Sequence, residues 1–163
     1  MRKEDFTKLK YFSYDEKNHR GEYLFHNEEV LKNTDFSILK TLDELRKFLK
    51  EPIVILCTWE KSGHSPNSQH YKIPCKAVDF RVLSDKHNFY KTTLRIIDGL
   101  NKVTEFDKCG FGFYPYGNSF HLDLRGEKAR WCGLHQIKDG KPYIDYIKFE
   151  DGITLIRKMY MGV

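Results

Sequence analysis

Asn67-Ser-Gln-His-Tyr-Lys-Ile-Pro-Cys-Lys-Ala-Val-Asp-Phe80 is the stretch on which the reading of this chain turns. Its first half is polar, and His70 sits there without any apolar periodicity around it. Its second half opens Ala77-Val-Asp-Phe-Arg-Val-Leu83, which reads as a strand. Alternation puts Val78, Phe80 and Val82 on one face and Ala77, Asp79 and Arg81 on the other. A carboxylate on so apolar a strand needs a partner, because an unpaired buried charge is costly. A metal ion is one such partner, and a salt bridge to Arg81 or to a lysine is another.

Forty residues on, Asn118-Ser-Phe-His-Leu-Asp-Leu-Arg125 alternates in the same way. Phe120, Leu122 and Leu124 share one face, and His121 and Asp123 share the other. Two strands that present His or Asp on the face away from their packing residues suggest a His/Asp/His zinc site. Three protein ligands with the fourth position left to water is the catalytic pattern rather than the closed structural one.

The rest of the composition is that of one globular domain. At 163 residues the chain is long enough to bury a core of its own. Its 12 Phe and 10 Tyr suit a compact fold with an aromatic-lined cleft. A net charge of +5 suits an anionic polymer such as nucleic acid or bacterial cell wall without choosing between them. Lysines are scattered rather than clustered, so no specific nucleic-acid binding is expected. Cys57, Cys75, Cys109 and Cys132 form no C-x-x-C pair, so buried free thiols are expected in place of disulfides or a structural zinc quartet. The N-terminal Met1-Arg-Lys-Glu-Asp-Phe6 lacks the apolar segment of a signal peptide, and no run is long enough to span a bilayer. Synthesis in the cytoplasm, no membrane insertion and a monomeric state are expected.

Along the chain, residues 1–35 read as an arm of short helical turns that packs its aromatics on the domain. Thr41-Leu-Asp-Glu44 reads as a capping box opening a helix whose buried stripe is Leu42, Leu45, Phe48 and Leu49, with Pro52 beyond its end. Ile53-Val-Ile-Leu-Cys57 reads as a central strand. Residues 59–76 form a long polar loop, of a length that is usually functional. Phe89, Thr93, Ile96, Ile97 and Leu100 mark a second helix. Gly110-Phe-Gly-Phe-Tyr114 reads as a strand whose glycines admit a close approach, Gly117-Asn118 as a turn, and Asp139-Gly140 as a late hairpin. The tail after Asp151-Gly152 reads as a short helix or strand. This order predicts an α+β domain over 1–163, with a mostly antiparallel sheet flanked by helices.

Ser68-Gln-His70, Lys76-Ala-Val-Asp79, Ser119-Phe-His-Leu-Asp-Leu-Arg125 and Arg130-Trp131 together resemble the zinc D-Ala-D-Ala carboxypeptidases. The same family holds the phage L-alanyl-D-glutamate endopeptidases. Its pattern is S-x-H-x-x-G-x-A-x-D, followed by F-x-H-x-D and a nearby R-W. The resemblance spans about residues 40–135 and implies the fold shared with the Hedgehog signalling domain. It also implies zinc held by His70, Asp79 and His121. Three departures stand out: a longer His70–Asp79 spacing, Cys75 in place of a glycine, and Cys57-Thr-Trp-Glu-Lys61 where the family carries an arginine for substrate charge. Lys61 is the substitute point charge there, without the fork of a guanidinium.

The activity implied is zinc-dependent hydrolysis of an amide bond in the peptidoglycan stem peptide, by a phage or prophage endolysin that reaches the cell wall after release. Asp123 is the candidate base for the attacking water, and its other role is to orient the ligand imidazole. Asn118 occupies the place from which some relatives supply the base, and Glu60 and Glu105 are further carboxylates within reach. His64 competes with His70 as a ligand. His19, His26, His87 and His135 have no motif context, and Trp131 reads as a core residue or a wall for substrate. The rival reading is a non-catalytic wall-binding or phage structural module of the same fold.

Overall fold

The computed structural model describes residues 1–64 and 66–162. In the N-terminal arm, a 3₁₀ turn at Lys3–Lys8, a second at Leu24–His26 and the short helix α1 (Glu28–Asn33) carry Phe6, Phe12 and Phe25 into the main core. The arm is tied down by a buried carboxylate. Asp43 accepts from the amides of Lys10 at 3.1 Å and Tyr11 at 2.7 Å, while Arg46 donates to the Tyr11 carbonyl at 2.8 Å.

Helix α2 (Phe36–Leu49) begins earlier than the Thr41 box implies, because Asp35 caps it by accepting from the Ser37 amide. Thr41 lies inside the helix, and its hydroxyl donates to the Ser37 carbonyl at 3.0 Å. The earlier start is favoured because it brings Ile38 and Leu39 onto the buried stripe with Leu42, Leu45 and Leu49. Lys50 closes the helix in the left-handed region, ahead of Pro52.

The strands are β1 (Ile53–Cys57), β2 (Ala77–Val82), β3 (Gly110–Tyr114), β4 (Ser119–Asp123), β5 (Ala129–Lys138) and β6 (Lys141–Ile147). Helix α3 (Phe89–Val103), capped by Asn88, follows β2, and α4 (Phe149–Met161) follows β6. The tail thus resolves to a helix. The α+β class is as expected, and the six-stranded sheet, in the order β1-β2-β4-β3-β5-β6, is mixed rather than wholly antiparallel: four of its strand pairs are antiparallel and one is parallel. β3 and β5 run parallel, with Gly110 beside Ala129 and Phe113 beside Cys132. The cause is local: β4 ends opposite the start of β3, so a short link carries the chain around that end to the far edge of β3.

One face of the sheet is apolar and packs on the helices through Val78, Phe80, Phe111, Phe113, Phe120 and Leu122, all fully buried. The opposite face carries one row of residues in register. Cys57 of β1 lies beside Asp79 of β2, Asp79 beside His121 of β4, His121 beside Gly112 of β3, and Gly112 beside Trp131 of β5. No helix among the described residues is long and apolar enough to cross a membrane.

The close approach expected at the β3 glycines has two beneficiaries. A Cβ on Gly112 would collide with the indole of Trp131, and one on Gly110 would collide with the Asp123 carboxylate and come within 2.7 Å of Arg125 Nε. Gly112→Ala must therefore displace Trp131. We expect a loss of about 1–3 kcal/mol in urea unfolding, the usual cost of overpacking; unchanged stability would mean that the indole moves aside freely.

Candidate metal centre

Asp79 and His121 face each other because their strands place them in register on the face away from the helices. His70 reaches them from the loop, on a 3₁₀ turn (Gln69–Tyr71) capped by Ser68, whose hydroxyl accepts from the His70 amide. The His70 ring is fixed by Thr58, whose carbonyl lies against Nδ1. A carbonyl can only accept, so Nδ1 carries the proton and Nε2 presents its lone pair. Thr58 is itself held from the arm: Thr34 donates to the Val30 carbonyl at 2.7 Å and receives the Thr58 hydroxyl at 2.9 Å.

Three donor atoms then converge. His121 Nδ1 lies 2.8 Å from Asp79 Oδ1 and 3.2 Å from His70 Nε2, and His70 Nε2 lies 3.3 Å from Asp79 Oδ1. Zinc bonds to nitrogen and oxygen of about 2.0–2.2 Å place the edges of a tetrahedron at about 3.3 Å. The three separations fit one ion with little adjustment.

Behind His121, Nε2 donates to Asp123 Oδ2 at 2.8 Å. Asp123 is 1% exposed, and both its oxygens are gripped by Arg125, Nε to Oδ1 at 2.7 Å and a terminal nitrogen to Oδ2 at 2.6 Å. It sits on the far side of the imidazole from Asp79 and His70. That position suits orientation of the ring and does not suit collection of a proton from solvent in the cleft.

The electrostatics follow from this crowding. Burial pushes the Asp79 carboxyl up, but the hydrogen bond and the positive charge of His121 outweigh it and hold Asp79 well below the usual carboxylate range. Burial likewise opposes ionisation of Asp123, and Arg125 with His121 more than reverses it. For His121, burial disfavours the charged ring, yet Asp123 and Asp79 on its two nitrogens raise it to about 9.

A second set of donors adjoins the first. Ligand atoms of Cys57, His64, His70 and Asp79 all lie within 4.8 Å of one another, a cluster that could hold a metal ion. Burial, with the charges of Asp79 and Glu60, pushes the Cys57 thiol far up, and it donates to Asp79 Oδ2 at 3.4 Å. His64 stacks on His70 at 4.2 Å between ring centres and bonds Glu60 Oε2 at 2.7 Å. His64 and His70, alternatives in the sequence, are thus neighbours. Cys75, Cys109 and Cys132 are buried free thiols, as is Cys57.

The centre lies on a cleft of about 630 Å³. Tyr114, Trp131, Tyr146 and His135 line it together with His64 and Ser68. Trp131 takes the wall position, with its N–H donating to the Tyr114 hydroxyl at 3.0 Å. Arg125 is the only lysine or arginine in the lining among the described residues. Lys61 points elsewhere: it pairs with Glu29 at 2.7 Å and lines the neighbouring cavity together with Glu60. Glu105 pairs with Lys108 on the exposed surface, and Asn118 forms the left-handed turn before β4. Arg125 ends the His121 motif, which assigns it no role, and His135 has no local sequence signal for its place on the cleft. No family model, curated protein or solved structure matches the chain.

With no ion bound, the raised value of His121 makes the fold pH-dependent. A folded value of about 9 against an ordinary 6.5 means the charged ring contributes fully below about pH 6.5 and loses that contribution as pH rises through 9. Asp79 and Asp123, both lowered, contribute above their ordinary range near pH 4 and fail only in acid. Urea unfolding of chelator-treated protein is expected to show a loss of roughly 3 kcal/mol between pH 6.5 and 9.5. A flat profile would show that no proton holds the cluster together.

Proposed function

We propose that the chain is a zinc-dependent hydrolase that cuts an amide bond of the peptidoglycan stem peptide. The observation that carries this reading is the convergence of His70 Nε2, Asp79 Oδ1 and His121 Nδ1 within 3.3 Å on the floor of an open cleft. His70, Asp79 and His121 would hold the ion. Two imidazoles and one carboxylate are the donor set of catalytic zinc rather than of hard oxygen-loving cations. When bound, the ion supplies Lewis acidity that polarises a scissile carbonyl and activates water near neutral pH.

The residues around it have separable tasks. Thr58 and Asp123 fix the tautomers of His70 and His121, so that each presents a bare nitrogen to the same point. Arg125 neutralises Asp123 from behind and brings positive charge to the cleft, where a carboxylate of an acidic stem peptide would be received. Trp131 and Tyr114 form a rigid wall over the Gly112 gap, against which an extended peptide can lie. The choice of stem peptide as substrate, and the fold shared with the Hedgehog signalling domain, rest on the resemblance of the two linked motifs. The mixed α+β frame is compatible with them.

The deciding experiment is digestion of purified peptidoglycan, followed by mass spectrometry of the released fragments. Wild type is expected to release new amino groups, and His121→Ala is expected to release none and to lose the ion. If wild type cleaves no wall chemotype while still holding zinc, the catalytic reading gives way to a binding module of the same architecture. Asp123→Asn is expected to keep the fold and weaken metal affinity roughly 10–100-fold, the usual effect of losing a partner behind a ligand histidine. Competition with a chromogenic chelator reads that change directly.

A further inference from the structure

We propose a second metal site on the same wall, built by Cys57, His64 and Glu60 around the second oxygen of Asp79. The inference rests on the first site in one respect: Asp79 would bridge the two ions, Oδ1 toward His70 and His121, Oδ2 toward Cys57. The geometry is on both sides of one carboxylate. Asp79 Oδ1 lies 2.8 Å from His121 Nδ1, while Oδ2 lies 3.4 Å from Cys57 Sγ. Cys57 Sγ is 3.9 Å from His64 Nε2, which in turn is 2.7 Å from Glu60 Oε2.

Cys57 cannot serve the first site. Its sulfur approaches the Nδ1 side of His70, at 3.9 Å, and that nitrogen is committed to the Thr58 carbonyl. The same commitment removes His70 from the cluster, which leaves one sulfur, one imidazole nitrogen and the Asp79 oxygen, and Glu60, bonded to His64, brings a second carboxylate oxygen to the site. That is four donors of the kinds zinc accepts: with metal–sulfur bonds near 2.3 Å, the Cys57–Asp79 spacing already matches a tetrahedral edge, the Cys57–His64 spacing need close by only about 0.4 Å, and the His64–Glu60 spacing must open by about 0.6 Å. Cys57 reaches this position through an irregularity in β1. Ile55 pairs with Phe80 but Cys57 pairs with Asp79, so the extra residue turns the thiol from the helix side to the cleft side.

The site is also reachable. His64 and Asp79 line the main cleft, and Cys57 and Glu60 line the cavity beside it. As the metal–sulfur bond forms, the thiol proton that now bonds Asp79 Oδ2 leaves to solvent, the His64 proton that now bonds Glu60 moves through solvent from Nε2 to Nδ1, and the ion takes the vacated place among sulfur, nitrogen and the carboxylate oxygens. A carboxylate-bridged pair of zinc ions can hold water and the scissile carbonyl from both sides.

Zn²⁺ and Co²⁺ are the probes. Metal-stripped full-length protein is titrated with each ion, and bound metal is counted after gel filtration. Wild type is expected to bind two equivalents and, with Co²⁺, to show thiolate-to-metal charge-transfer absorption. Cys57→Ser should bind one equivalent and lose that absorption, and His64→Gln should bind one equivalent of Zn²⁺. His121→Ala should also bind one, with the thiolate band retained. One equivalent in wild type, or a Cys57→Ser protein that still binds two, would overturn the second site while leaving the first untouched. A wild type whose uptake is insensitive to His121→Ala would instead overturn the first. Circular dichroism of each variant separates lost ligands from a lost fold.

Discussion

Three electron-rich atoms, His70 Nε2, Asp79 Oδ1 and His121 Nδ1, are held within 3.3 Å of one another, and such a group must enclose a positive charge. Two lone pairs and a carboxylate oxygen repel unless a proton or a cation lies among them. The ion-free molecule answers with a proton on His121, which is why that ring is raised to about 9 despite its burial. A divalent ion answers the same demand with more charge and a fourth coordination position. The folding of the loop, the register of β2 with β4 and the Asp123–Arg125 clamp all serve to create this demand.

The sheet supplies rigidity where the chemistry needs it. Its helix-facing side is a layer of fully buried Phe, Val and Leu side chains, so β2 and β4 cannot slip without exposing that layer. The register that buries Val78 and Leu122 opposite each other also aligns Asp79 with His121 on the other side. The core thus fixes the site through strand alternation, and no separate device is needed to bring the carboxylate and the imidazole together. The loop residue His70 lacks that support, and its position depends on Thr58 and, through Thr34, on the arm.

Much of this was legible because period-two alternation is a strong signal. The faces of β2 and β4 follow directly from Val78-Asp79-Phe80 and Phe120-His121-Leu122, and the glycines of β3 announced a close approach. The helix start was misplaced because Thr41 and Glu44 satisfy a local capping rule, whereas Asp35 wins through the burial of Ile38 and Leu39. The parallel β3–β5 pair was not legible, since it depends on where β4 ends in space rather than on any residue pattern. The role of Cys57 was hidden for a similar reason. In strict alternation it shares the inward face of Ile53 and Ile55, and only the irregularity in β1 turns it outward.

That irregularity lies at the margin of the sheet, where β1 has one neighbour and nothing beyond it to enforce a register. Were the strand to run straight, Leu56 would stand opposite Asp79 and the sulfur would turn inward among the helices. Asp79 and His121, anchored in interior strands, would keep their places, whereas His70, held by the carbonyl of Thr58 next in the chain, would move with the strand. Small changes at one rim would therefore withdraw the sulfur and loosen the loop histidine together, while the carboxylate and imidazole of the interior strands stay aligned.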